Sequence, residues 1–284
     1  MKLRIWGTRG SLPTPGRATN RYGGNTSCVE VRGADRGHVV VLDAGSGIRA
    51  LGRALPAKLH RVDVLLTHLH MDHIIGLGFF EALFRPGLEV HIWGPSSTTM
   101  PLRDRLARYL SPPLFPVSLR ELPCDLELHD VPLGHFALPG MHVLAALVTH
   151  PGPTVGYRLD DGRGTLAYLS DHEPALGSRL FPEAPEWTSG FDLAAGVDVL
   201  IHDAQYTDAE YPDHVGWGHS SITQAIEFAQ ATGVGTLVAF HHDPSHDDAT
   251  LDAIYDDLTS RVLGFELVAA REGARIEVTS RLPA

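Results

Sequence analysis

Short apolar runs rich in Val, Leu and Ile recur along this 284-residue chain, and five of them end on histidine or aspartate. Val62-Asp63-Val64-Leu65-Leu66 leads into Thr67-His68, and Val143 to Thr149 leads to His150. Thr165 to Ser170 ends at Asp171, Val197 to Ile201 at His202-Asp203, and Thr236 to Phe240 at His241-His242-Asp243. Runs this short are signals of buried strands. Chemistry-bearing groups beyond the carboxyl ends of strands are the usual geometry of α/β sites. Five such ends therefore predict convergence on a single site.

The remaining pattern adds strands at Lys2 to Trp6 and Thr154 to Leu159, and a closing pair around Phe265 to Val268 and Arg275 to Val278. Helices are predicted from Ile74 over Phe80, from about Ser97 to Tyr109, over Ile222 to Ala229 behind Ser220-Ser221 as N-caps, and from Leu251 to Leu263. Arg103, Arg105 and Arg108 lie on the second of these, where a solvated face is the expected reading. The proline-rich stretch from about Glu81 to Gly140 is the least regular. It is expected to wall the pocket.

The densest chemistry is His68-Leu69-His70-Met71-Asp72-His73. Four metal-competent side chains fall within six residues at a strand end, and that setting argues against a mere surface cluster of histidines. Imidazole suits zinc and its neighbours, and carboxylate adds a harder oxygen ligand. In an extended loop His68 and His70 point to one side and can share one ion. Asp72 and His73, offset by a turn, reach toward a second.

With His150, Asp171 and His241 following in this order, the chain resembles the metallo-β-lactamase fold hydrolases. The resemblance implies an α/β fold, a four-layer αββα sandwich, spanning residues 1–284 as one domain. It implies one metal site from His68, His70 and His150 and another from Asp72, His73 and His241, bridged by Asp171. His241 is preferred to its neighbour His242, with His246 close by, because it comes first after the strand. Two divalent ions are implied, Zn2+ ahead of Mn2+ or Fe2+. Asp43, in Leu42-Asp43-Ala44-Gly45-Ser46-Gly47, matches a strand-end turn that supports the histidine loop.

Asp203, followed by Gly218-His219-Ser220-Ser221, is similar to the phosphodiesterase branch, which includes tRNA 3′-end endonucleases and a cyclic phosphodiesterase. There the acidic residue orients a histidine that protonates the leaving alkoxide. Asp203 stands where the endonucleases usually have Glu, a longer arm. Asp72 is expected to orient the nucleophile while ligating. Two ions about 3.5–4 Å apart would acidify a water and neutralise charge on phosphate oxygens. Openings similar to Gly7-Thr8-Arg9-Gly10-Ser11 and Gly23-Gly24-Asn25-Thr26-Ser27 occur in bacterial cyclic-nucleotide phosphodiesterase-like members. Here the loop from Gly7 to Gly16 reads either as an anion cradle with nearby Arg or as ordinary turns.

Net charge is −11, from 23 basic and 34 acidic residues. That balance repels polyanions and suggests no extended nucleic-acid surface. From His150 to Asp171 is 171 − 150 = 21 positions. This leaves no room for the protruding arm of tRNA-processing relatives. Both points favour a small anionic phosphodiester such as a cyclic nucleotide. Cys28 and Cys124 are expected as free buried thiols. The cyclic ribose-phosphate enzyme carries extra N-terminal cysteine ligands, so that activity is not transferred. Met1 to Gly10 has no apolar leader core and no stretch reaches membrane-spanning length, so a cytoplasmic location without membrane contact is expected, as a homodimer like many relatives. The alternatives are a tRNA 3′-processing nuclease, a lactone or thioester hydrolase on the same core, and a non-enzymatic metal-dependent sensor.

Overall fold

Alternation along each strand decides which layer its side chains enter. In His38–Leu42, Val39 and Val41 turn to one side of the sheet and Val40 and Leu42 to the other, and all four are fully buried. A strand buried on both faces must lie between two further layers. The computed structural model describes residues 1–174, 176, 185–259 and 263–281.

The strands are β1 Lys2–Gly7, β2 Cys28–Arg32, β3 His38–Leu42, β4 Arg61–Leu65, β5 Glu89–Gly94, β6 Asp125–Asp130 and β7 Gly134–Leu138. They continue as β8 Met141–Leu147, β9 Val155–Asp160, β10 Thr165–Leu169, β11 Val199–Asp203, β12 Thr236–Phe240, β13 Glu266–Ala269 and β14 Arg275–Glu277. They form two seven-stranded sheets, ordered β14-β1-β2-β3-β4-β5-β6 and β13-β12-β11-β10-β9-β8-β7. β3 through β6 run parallel, as do β10 through β13. The last two strands do not close one sheet, as the sequence suggested. β13 joins β12 and β14 joins β1, on different sheets.

Helices α1 Ile48–Ala54, α2 Met71–Ile74 and α3 Leu102–Ala107 belong to the first half; α4 Phe191–Ala194, α5 Ile222–Thr232 and α6 Asp248–Thr259 to the second. Between the sheets, Ile5, Val31, Leu42 and Leu65 meet Tyr157, Tyr168, Ile201 and Phe240. Ile48, Leu51, Leu102 and Leu106 pack on the outer face of the first sheet. Leu193, Phe228, Leu251 and Tyr255 pack on that of the second. The four layers are helix, sheet, sheet, helix, as the resemblance implied.

Three helices depart from expectation. The helix expected from Ile74 to Phe80 is α2, which ends at Ile74 and gives way to 3₁₀ turns at Leu77–Phe79 and Glu81–Phe84. Gly76 packs on the Gly45 carbonyl so closely that a Cβ would overlap it. The helix expected from Ser97 starts only at Leu102, because Pro101 keeps Met100 out of helical conformation. α6 begins three residues earlier than Leu251, and residues 260–262 of the expected helix lie outside the described residues. Among the described residues no helix is long and apolar enough to cross a membrane.

The inter-sheet core sets stability. Phe240 is fully buried there at the end of β12. Phe240→Ala is expected to cost about 3–5 kcal/mol, read as a lowered urea midpoint at unchanged m-value.

Candidate metal centre

Parallel strands carry β4, β10, β11 and β12 to a common rim, and the loops that follow them hold the expected residues. After β4 the chain stays extended. Thr67 N–H donates to Asp43 Oδ1 at 2.8 Å, and Val155 N–H donates to the Thr67 carbonyl at 2.9 Å. His70 then occupies the N-cap position of α2, which places Asp72 and His73 in a single short turn.

The side chains gather into two groups. Ligand atoms of His68, His70 and His150 lie within 4.8 Å of one another, and so do those of Asp72, His73, Asp171 and His241. The Asp171 carboxylate faces both: Oδ2 is 3.7 Å from His68 Nε2 and 3.4 Å from His241 Nε2, and Oδ1 is 3.0 Å from His73 Nε2. Asp72 Oδ2 is 3.2 Å from His73 Nε2 and 3.3 Å from His241 Nε2. These are short distances without hydrogen-bond alignment. His68 Nε2, His73 Nε2, His241 Nε2 and Asp171 Oδ1 are buried with no hydrogen-bond partner. Buried polar atoms are seldom left so. Atoms that approach each other yet point at a shared space suit cations placed between them.

The other ring nitrogens explain the orientation. His150 Nδ1 donates to the Gly218 carbonyl at 2.8 Å. His73 Nδ1 donates to Asp43 Oδ2 at 2.8 Å and His241 Nδ1 to Gln205 Oε1 at 3.0 Å. The Thr67 hydroxyl donates to Asp43 and so accepts from His68 Nδ1 at 3.0 Å. Each of these four rings spends its N–H on Nδ1 and keeps the Nε2 lone pair inward, the tautomer a metal requires; His70, exposed at the rim, instead turns Nδ1 toward His150 Nε2 at 3.2 Å. At His91 and His129, which group with Glu127, the ring nitrogens bond each other at 2.9 Å instead.

Electrostatics agrees. Burial holds His68 well below its usual pKa and also lowers His150, favouring the neutral ligating form. Burial alone would raise Asp171, but His241, His73 and His68 hold it well below the usual carboxylate range. Burial opposes a charge on His73, yet Asp171, Asp72 and Asp43 raise its pKa well above the usual value. The carboxylates demand positive charge at this centre, which a divalent ion supplies.

Beside the two groups, His219 Nδ1 lies 2.6 Å from Asp203 Oδ2. The shorter aspartate arm reaches because β11 ends right at the site. Asp203 is fully buried and also accepts from Gln205 N–H and Ser220 N–H. Burial disfavours the charged ring of His219, but Asp203 lifts its pKa to about 9. Ser221 caps α5 by accepting from Gln224 N–H; Ser220 does not, donating instead to the His172 carbonyl. His242 turns away toward the Ala270 carbonyl and His246 toward Glu210, so His241 alone of the three joins the cluster. His202 pairs with His172 at 2.9 Å, away from the cluster.

The anion-cradle reading of the Gly7–Gly16 loop is corrected. The Arg9 side chain is fully buried and donates to the carbonyls of Gly23, Asp243 and His246. Ser11 N–H donates to Asp72 Oδ2 at 2.8 Å, so the loop braces a candidate ligand. The proline-rich stretch does wall a cleft of about 230 Å³, where Pro95, Ser97 and Arg105 face His68, His70 and Pro151. Arg103 and Arg108 are solvated as expected, whereas Arg105 turns inward onto the Pro95 carbonyl. Tyr168, Gln205 and Glu173 were missed; Gln205 sits in the motif Ile201-His202-Asp203-Ala204-Gln205-Tyr206 and reveals its partner only in the fold.

An αββα sandwich with this histidine and aspartate rim is a metallo-β-lactamase fold, and the chain is a metal-dependent hydrolase of that fold. It belongs to the beta-lactamase superfamily domain family, which matches residues 38–242. Ribonuclease BN of Erwinia tasmaniensis is 25% identical over 283 residues, covering 85% of this chain and 88% of that protein. Two solved structures share the fold. The metallo-beta-lactamase fold protein YhfI from Bacillus subtilis has a TM-score of 0.69 at 19% identity, covering 97% of this chain and 98% of that one. Human tRNase Z, short form, has 0.67 at 21%, covering 99% and 100%.

Two measurements check this site. Asp43→Ala is expected to weaken binding of the more labile ion about 10- to 100-fold, read by chelator competition. In metal-free protein, NMR titration is expected to find His219 near pH 9, and Asp203→Asn to move it down. Because the folded pKa exceeds the unfolded value near 6.5, this pair's stabilisation is complete below about 6.5 and fades as pH rises through about 9.

Proposed function

We propose that the chain, residues 1–284 acting as one domain, is a two-metal phosphodiesterase for a small anionic diester such as a cyclic nucleotide. The observation that carries this reading is the His219–Asp203 pair at 2.6 Å beside the metal groups. Lactone and thioester cleavage has no need of such an acid, whereas a poor alkoxide leaving group does.

In this reading His68, His70 and His150 would hold one ion and Asp72, His73 and His241 the other, with the Asp171 carboxylate facing both groups. Zn2+ is the first choice for this nitrogen-rich set, with Mn2+ or Fe2+ as substitutes. Two such ions supply an electrophilic pull on phosphate oxygens and a water acidified for attack. The protein does the rest. Asp72, braced by Ser11 N–H, orients the attacking water. His219, oriented through Nδ1 by Asp203, gives its Nε2 proton to the leaving oxygen as the phosphorus–oxygen bond breaks.

The relatives named as ribonucleases support phosphodiester chemistry and favour RNA as a second reading. Against a tRNA substrate, the interval from His150 to Asp171 is taken up by the antiparallel pair β9 and β10, joined by a tight turn at residues 161–164. The net charge of −11 also opposes a long polyanion.

Hydrolysis of bis-p-nitrophenyl phosphate with Zn2+ or Mn2+ is the direct test. Turnover is expected; none, together with lactone or thioester cleavage, overturns the reading. Rates on cyclic nucleotides against short RNAs then separate the two substrate classes. His219→Ala is expected to keep both metals and lose about 10²- to 10⁴-fold on poor leaving groups, and far less on p-nitrophenolate. Full activity on both removes His219 from the mechanism.

A further inference from the structure

The loop from Tyr206 to His219 ends on the candidate acid, yet most of it plays no part in the chemistry above. Its tip exposes two large apolar side chains: Trp217 is 59% exposed and Val215 46%. A tryptophan held out in solvent forgoes a large burial gain, and exposed aromatics beside a site mark recognition surfaces.

The tip is held firmly. Glu173 is fully buried, and its carboxylate accepts from Tyr211 OH at 2.7 Å, Gly216 N–H at 2.9 Å and Gly218 N–H at 2.8 Å. Trp217 N–H donates to the His214 carbonyl. The rings form a ladder toward the site. Trp217 meets His214 edge-on at 4.8 Å, His214 stacks on Tyr206 at 4.3 Å, and Tyr206 lies 6.1 Å from His219. Gly218 presses the loop against the metal group: its carbonyl takes the His150 Nδ1 proton, and a Cβ there would overlap Pro151 and the His150 ring.

We propose that this loop is the subsite for a flat aromatic ring carried by the substrate, a nucleobase, with Trp217 as its stacking face and Glu173 as the residue that positions it. The proposal rests on the phosphodiesterase reading and narrows it to base-bearing diesters. Charge selects the occupant. Between Tyr206 and His219 the loop carries Asp208, Glu210 and Asp213 and no Lys or Arg. Such a surface suits a neutral ring and repels further phosphates, so it fits a mononucleotide better than a polynucleotide. Stacking accepts any base, because every base has a π-face.

The test compares 2′,3′-cyclic AMP with the base-free 2′,3′-cyclic phosphate of methyl riboside on the zinc-loaded enzyme. The wild type is expected to show a KM about ten-fold or more lower for 2′,3′-cyclic AMP. Trp217→Ala is expected to erase that preference with kcat little changed, and Trp217→Phe to retain most of it. Glu173→Gln, which turns one acceptor into a donor facing the loop amides, is expected to reduce the same preference while metal content stays at two. Equal KM for both diesters in the wild type, or a preference that survives Trp217→Ala, overturns the subsite and leaves the phosphodiesterase reading standing. If neither diester is cleaved, the phosphodiesterase reading falls, and tryptophan fluorescence decides the subsite separately. Quenching by AMP in the wild type but not in Trp217→Ala supports it, and identical quenching in both overturns it.

Discussion

The Asp43 carboxylate holds the site together. It is fully buried at the end of β3 and accepts from Thr67 N–H, the Thr67 hydroxyl and His73 Nδ1 on the first sheet's side. From the second sheet it accepts from Tyr168 OH at 2.9 Å and Ser170 Oγ at 3.3 Å. A buried carboxylate is tolerable only when its lone pairs are answered. Here the answer requires both sheets in register and the histidine loop in place. The same bonds fix the tautomers of His68 and His73, so the support of the fold and the aim of the candidate ligands are one network.

Strain gathers where that network is densest. Among the described residues, Ser11, Asp43, Leu176 and His241 are the non-glycine residues with positive φ, and three of these four touch the centre. Each costs on the order of 1–3 kcal/mol. At Asp43 and His241 that cost is offset by the bonds that hold them. The cluster itself places Asp72 and Asp171, buried acids, among four nearly buried imidazoles. Cations between them would relieve both the unpartnered nitrogens and the crowding of negative charge.

Around this rigid centre the loops divide the work. The N-terminal loop braces Asp72 through Ser11, the stretch around Pro95 and Arg105 walls the cleft, and the loop from Tyr206 to His219 brings His219 against Asp203. Glu173 ties the last of these to the strand end that also bears Asp171, only two residues away. The loop that carries His219 and the strand end that carries Asp171 are therefore tied together through Glu173.

Much of this was legible in the sequence. Strand-end histidines and aspartates mark themselves because β-strands have short periods and their ends are abrupt, so the runs before His68, His150, Asp171, Asp203 and His241 named both the elements and the cluster. The short interval between His150 and Asp171 likewise foretold β9 and β10. Helix lengths were less legible. Gly76 and Pro101 end or delay helices for reasons of backbone crowding and proline geometry that apolar periodicity does not carry. What only the tertiary structure decided is which polar groups meet across long separations. Gln205 on His241, Ser11 on Asp72, Tyr168 on Asp43 and Glu173 on the Gly216–Gly218 backbone are contacts between strand ends far apart in the chain. Local sequence determines where a side chain can stand. The packing of two sheets determines what stands opposite it, because hydrogen bonds form across a few ångströms of space and carry no mark along the chain.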